Sequence, residues 1–178
     1  MGAVSLAAYG QTCAVMGDGT LSCWGMNDSG ELGRGTFSEA QFGAAPVIAQ
    51  TSTGTTTFTG AAAVSVAAET TCALTTAGDV FCWGSDQFDQ LGGGPVSAKP
   101  VQIVGLSAQA TQVAVANSYA CALVVGGTIE CWGSEGALGD GIVSPPIPCG
   151  NGFSGTSVRA MPISVAVDTS PFMQPLGH

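Results

Sequence analysis

Apolar positions along this chain fall in short runs broken by Gly, Asp and Asn. Val4-Ser5-Leu6-Ala7-Ala8, then Thr12-Cys13-Ala14-Val15, then Leu21 to Trp24 form the first set. Runs this short, bounded by turn formers, predict β-strands joined by tight turns. The set recurs as Val64-Ser65-Val66-Ala67-Ala68, Thr71-Cys72-Ala73-Leu74, Gly78, Val80 and Cys82-Trp83-Gly84. It recurs again as Val113-Ala114-Val115-Ala116, Ala120-Cys121-Ala122-Leu123, Gly127, Ile129 and Cys131-Trp132-Gly133. Each copy closes on Leu-Gly, at Leu32-Gly33, Leu91-Gly92 and Leu138-Gly139. The period is 59 residues, then 49. An internal repeat of this length marks one supersecondary unit per copy, stacked on its neighbours. The expected division is three repeats across 1–167, at about 4–60, 64–112 and 113–167. Residues 168–178 would be a tail or the start of an incomplete fourth repeat, with Ile163 to Val167 as its opening strand.

Each copy predicts a hairpin. Cys13 to Met16 and Thr20 to Trp24 flank Gly17-Asp18-Gly19, a three-residue loop with Gly at its left-handed position. Pairing symmetric about residue 18 sets Cys13 opposite Cys23. The same arithmetic sets Cys72 opposite Cys82 and Cys121 opposite Cys131. Directly opposed strand residues stand close enough for a disulfide. Each bridge would close a loop of about eleven residues, worth roughly 2–3 kcal/mol in the chain-entropy relation. Two readings compete, a zinc site and buried free thiols. The spacing C-x9-C and the lone terminal His178 count against zinc. Cys149 is the odd cysteine, read as an unpaired thiol or an intermolecular link.

The Trp after each second Cys points to the opposite strand face. Trp24, Trp83 and Trp132 are expected to pack one sheet against the next, because a strand apolar on both faces is buried on both. A carbohydrate-stacking role is the alternative. Between Trp-Gly and Leu-Gly lie polar turn residues, including Asp28, Glu31, Asp86, Asp89, Glu135 and Asp140 nearby, which read as an acidic rim repeated from copy to copy. Pro46, Pro100 and Pro162 each precede a short later strand, as edge or strand-start positions allow. Two inserts, Thr36 to Gly60 and Ile142 to Thr156, break the repeat and are candidates for partner contact.

Composition narrows the function. Three Lys plus Arg stand against twelve Asp plus Glu, for a net charge of −9. Nucleic acid needs a basic stripe, so it is not an expected partner. No apolar run approaches the length of a spanning helix, so membrane insertion is not expected either. No internal His supports a Ser-His-Asp or Cys-His site, and no calcium loop or phosphate-binding glycine loop occurs. No cofactor and no catalytic residue is expected.

The pattern Thr-Cys-Ala-Leu, Gly, Val, Cys-Trp-Gly, Leu-Gly, best seen from Thr71 to Gly92, resembles the repeat of the regulator of chromosome condensation family. The resemblance implies an all-β fold of β-propeller blades, with repeats that cross blade boundaries. It also implies work done by presenting loops to another protein. Bacterial relatives with a Cys in both hairpin strands look extracytoplasmic. Here Gln11, Thr70 and Tyr119 stand where the family often has His. Propellers close with about four to eight blades, so three repeats imply a partial propeller, completed by other chains or part of a larger one. The expected function is a non-catalytic protein-interaction or self-assembly module, disulfide-reinforced, in an extracellular, cell-surface or periplasmic setting. Its partner is a protein or copies of itself, in a homo-oligomer or open assembly. The alternative is a propeller lectin using Phe37, Phe42 or Phe153. An enzyme with an intersubunit acidic or metal site ranks below both.

Overall fold

A computed structural model of the chain describes residues 2–134, Leu138 and the backbone of Val158–Ser164. Every element among them is a strand. The first blade comprises β1 (Ala3–Ala8), β2 (Gln11–Met16), β3 (Leu21–Gly25) and β4 (Gln41–Pro46). A separate hairpin, β5 (Ile48–Thr51) and β6 (Gly54–Thr57), follows. The second blade holds β7 (Ala61–Ala67), β8 (Thr70–Thr75), β9 (Val80–Gly84) and β10 (Ser97–Gln102). The third holds β11 (Ala110–Val115), β12 (Tyr119–Val124), β13 (Ile129–Ser134) and β14 (Val158–Ser164). Each blade is a four-stranded antiparallel meander with its strands in chain order.

The predicted register is the observed one. Cys13 pairs with Cys23, Cys72 with Cys82, and Cys121 with Cys131 across the central hairpins. The hairpin loops place Gly19, Gly78 and Gly127 at positive φ, 80°, 86° and 86°. The Gly after each Trp is required twice over. Gly84 has φ 105°, and a Cβ there would lie 2.0 Å from the Glu69 carbonyl oxygen. That close approach lets the β7–β8 turn fold onto the end of β9, where Ser85 N–H donates to the same carbonyl.

Three sequence expectations change. Leu6, opposite Ala14, stands where Val64 stands opposite Ala73, two residues on from the match of Val4 with Val64. Ala7 pairs with Cys13 and Ser65 with Cys72, so the first blade has one residue fewer between equivalent partners, which moves the register. Ile163 does not open a fourth copy: it pairs with Cys131 as part of the third blade's last strand. Residues 165–178 lie outside the described residues. The insert 36–60 is largely ordered strand, since β4 completes the first blade and β5–β6 lies beside β10. Lys99 Nζ donates to Gln50 Oε1 across that contact. Pro46 and Pro100 fall on β4 and β10, the blade-edge strands, where no ladder partner is lost.

The core lies between blades. One cluster joins Cys13, Val15, Leu21, Cys23, Leu32 and Val47 of the first blade and its connection to Val64, Ala73 and Trp83 of the second. The next joins Cys72, Leu74, Val80, Cys82, Leu91 and Ile103 to Ala110, Ala122 and Trp132. Each blade therefore has a cysteine face and a tryptophan face, set by strand alternation. The cysteine face of one blade meets the tryptophan face of the next, twice over.

Candidate protein-interaction surface

The disulfides lie inside these faces. Sγ–Sγ distances are 2.10, 2.06 and 2.09 Å for Cys13–Cys23, Cys72–Cys82 and Cys121–Cys131. Cys13, Cys23, Cys72 and Cys82 are fully buried. They brace hairpins and present no reactive sulfur.

The turn after each Trp-Gly is built on one hydrogen-bond plan with two spellings. In the first blade, Asn27 Oδ1 accepts from Leu32 N–H and Glu31 Oε2 accepts from Ser29 N–H. In the second, Asp86 Oδ1 accepts from Leu91 N–H and Gln90 Oε1 accepts from Phe88 N–H. Amide and carboxyl have exchanged places. Both carboxyls are held above their ordinary range. Burial raises Glu31, opposed by backbone hydrogen bonds. Burial pushes Asp86 up to about 6, against hydrogen bonds from Leu91 and Gly94. The acidic-rim expectation must therefore give up Glu31, which is fully buried. Asp28 is exposed, Asp86 and Asp89 are partly buried, and Glu135 and Asp140 lie outside the described residues.

This turn carries the contact between blades. Trp83 Nε1–H donates to the Glu31 carbonyl at 2.8 Å, and Thr71 Oγ1–H donates to the same oxygen at 2.8 Å. Trp132 Nε1–H donates to the Gln90 carbonyl at 2.9 Å. Ala120 stands where Thr71 stood, so Gln90 receives the indole alone. A Cβ on Gly33 would lie 2.8 Å from Trp83 Nε1, so the Leu-Gly step clears the indole's path. Gln11 Nε2–H adds a bond to the Thr70 carbonyl. Sequence reasoning found the tryptophans and missed their acceptors, because a backbone carbonyl leaves no residue signature.

Trp24 differs from its two counterparts. It is only partly buried, and its indole N–H has no hydrogen-bond partner among the described residues. Around it the first blade leaves Val4, Leu6 and Tyr9 exposed by 67%, 66% and 68%. At the other end, Cys121 and Leu123 are partly exposed and Ile129 is exposed, over an apolar depression of about 300 Å³. Cys131 and Leu138 on that side are covered. A second depression, about 480 Å³, lies between connecting turns, with Asp28, Ser29, Phe37 and Asp86 on its wall. Phe42 is 92% exposed. Phe153 and Cys149 lie outside the described residues. Among the described residues no three His, Cys, Asp or Glu side chains gather to hold a metal ion.

The Regulator of chromosome condensation (RCC1) repeat matches residues 77–123, and a second form of it matches 62–90. Over 62–123 the blade repeat is similar to the RCC1 repeat. The stretch 77–123 runs from β9 through β12, so one RCC1 repeat supplies two strands to each of two adjacent blades and ties them covalently. Human WBSCR16 superposes with a TM-score of 0.68 at 16% identity, over 92% of this chain and 38% of that one. Yeast RCC1 (Prp20), in its complex with Kap60, gives 0.68 at 13% identity, over 93% and 37%. Prp20p from Saccharomyces cerevisiae gives 0.64 at 14%, over 93% and 39%. The chain spans a little over a third of these RCC1-fold chains, and the likeness shows the shared propeller fold. No curated protein matches the chain.

Proposed function

We propose that the chain is a non-catalytic protein-binding or self-assembling propeller module, reinforced by disulfides for an oxidising extracellular or periplasmic setting. The observation that carries the reading is the first blade's open tryptophan face. Leu6 is 66% exposed there, while Val64 at the equivalent place is 8% exposed under a neighbouring blade. A contiguous apolar face of this kind marks a protein contact. Yeast RCC1, which shares the fold, is seen bound to Kap60. The three bonded hairpins favour an oxidising setting, since cytosolic thiols are kept reduced.

The test is a hydrophobic fluorescent dye on the dilute native chain. Dye should bind and the signal should fall sharply in Leu6→Glu; a chain that binds no dye sinks the reading. A thiol count on the denatured, unreduced chain tests the setting. Six of the seven cysteines are bonded, so one thiol per chain is the expected count. A lectin is the second reading, and the exposure of Phe42 and Phe37 favours it. Glycan-array binding lost in Phe42→Ala would establish it over the first.

A further inference from the structure

We infer that Glu31 and Gln11 share one proton: the Glu31 carboxyl keeps it in the folded chain and donates Oε1–H to Gln11 Oε1, a clasp at the seam between the first two blades. The inference stands apart from the protein-binding reading, since it concerns atoms inside the chain.

Two buried oxygens lack donors. Glu31 and Gln11 are fully buried, and Glu31 Oε1 and Gln11 Oε1 are sealed from solvent with no hydrogen-bond partner. Buried polar atoms are nearly always paired, so each orphan calls for an explanation. A further blade supplies none, because neither atom has surface left to touch. Gln11 does not serve Glu31 as a donor. Its two Nε2 protons are engaged by the Thr70 carbonyl at 3.2 Å and Thr71 Oγ1 at 3.4 Å. Turning the amide over would set its oxygen against the Thr70 carbonyl and lose both bonds.

The second blade shows which atoms face each other. Gln90 stands in Glu31's place before Leu-Gly, and Thr70 in Gln11's place opposite the Gly after Trp. Gln90 Oε1 accepts from Phe88 N–H as Glu31 Oε2 accepts from Ser29 N–H. The other head-group atom, Gln90 Nε2, donates to Thr70 Oγ1 at 3.4 Å. Its counterpart is Glu31 Oε1, which is therefore directed at Gln11. An ionised carboxyl there would set acceptor against acceptor. A neutral one supplies the missing donor, and one proton satisfies both oxygens.

The surroundings favour the neutral form. Burial raises the Glu31 carboxyl above its ordinary range, and Asp28 on its own turn and Glu69 on the β7–β8 turn raise it further, against backbone hydrogen bonds at Glu31 and Ser29. Ser29 Oγ–H, donating to Glu69 Oε2 at 2.9 Å, holds that second carboxylate close. Among the described residues the cations are engaged elsewhere. Arg34 donates to the Cys23 and Gly43 carbonyls, and Lys99 to Gln50 Oε1. The folded chain thus holds a proton that the unfolded chain releases above the ordinary Glu range. The clasp stabilises at low pH and is lost as pH rises through the folded value. Because the Glu31 carbonyl receives Trp83 and Thr71, ionisation should loosen this seam.

Infrared spectroscopy of the full chain tests the inference at about pH 6, above the ordinary carboxylate range. Asp86→Asn serves as the background, because Asp86 itself titrates at about 6. A neutral carboxylic acid shows a carbonyl stretch that a carboxylate lacks. That band should be present and should vanish in Glu31→Gln, whose amide copies Gln90 and still donates to Gln11 Oε1. Gln11→Leu removes the acceptor and should move the band's titration midpoint down, weakening proton binding roughly five- to tenfold. The seam reports the same event by NMR. From about pH 5 to about pH 8, Trp83 indole exchange should accelerate relative to that of Trp132, and the ratio should stay flat in Glu31→Gln. Absence of the Glu31 band overturns the inference. So does a midpoint unmoved by Gln11→Leu, or a Trp83-to-Trp132 ratio indifferent to pH. If Gln11→Leu does not fold, the band and the ratio, each compared with Glu31→Gln, still decide it.

Discussion

The first and second blades carry nearly the same motif and live in different surroundings. Thr71, Ala73 and Trp83 are sealed, whereas Thr12 and Trp24 are partly open and Leu6 lies bare. Residue identity therefore does not decide burial in this fold; the neighbouring blade does. Stability in stacked repeats is approximately a sum of intrinsic and nearest-neighbour terms, and the two blades separate those terms.

The largest expected difference is at the tryptophans. Trp83→Ala empties a sealed site and removes one of the two donors to the Glu31 carbonyl, and should cost about 3–5 kcal/mol. Trp24→Ala on the monomer should cost about 1–2 kcal/mol, since less apolar area leaves the core. Urea unfolding of dilute protein measures both. Equal losses would erase the distinction between the blades.

The disulfides should ignore that distinction. Each closes a loop of the same length, with sequence separation 10, and the constraint acts on the unfolded chain. Replacing Cys13 and Cys23 by Ala, or Cys72 and Cys82 by Ala, should each lower stability by roughly 2–3 kcal/mol. A much larger loss in the second blade would mean that packing, not chain entropy, dominates.

The smallest contrast is electrostatic. Asp86 has its folded pKa raised to about 6 from the model-compound value 3.8. The folded state thus binds more protons than the unfolded state between these values. The resulting stability is present at low pH and is lost as pH rises through about 6. Asp86→Asn copies the Asn27 spelling of the first blade and should flatten that slope, by on the order of 1 kcal/mol after allowance for partial solvent screening. Glu31, raised in the same direction, should behave likewise in Glu31→Gln, which copies Gln90. Denaturation midpoints from pH 4 to 7 read both; an unchanged slope in both variants would remove the burial argument.

Much of this was legible in the sequence. Period-2 alternation and the turn glycines placed the central hairpins, and symmetry about each loop paired the cysteines. Tryptophan packing followed from strands apolar on both faces. What stayed hidden was set by backbone and by long range. The indole acceptors are carbonyls. Glu31 looked like a rim carboxylate because its burial depends on folding of its own turn. The Thr-rich insert looked irregular, although β-branched Thr55, Thr56 and Thr57 form a strand once Gly54 turns the chain back. The last strand of the third blade looked like a new beginning because β4, β10 and β14 join their blades only after long, dissimilar connections.

The central claim is that a tryptophan face is sealed by a neighbouring blade and is open only where none is present. Exchange of the three indole N–H protons, followed by NMR on the full chain at several concentrations, measures it directly. The account predicts that Trp83 and Trp132 exchange slowly at every concentration. Trp24 should exchange fast. Three equally protected indoles would contradict it.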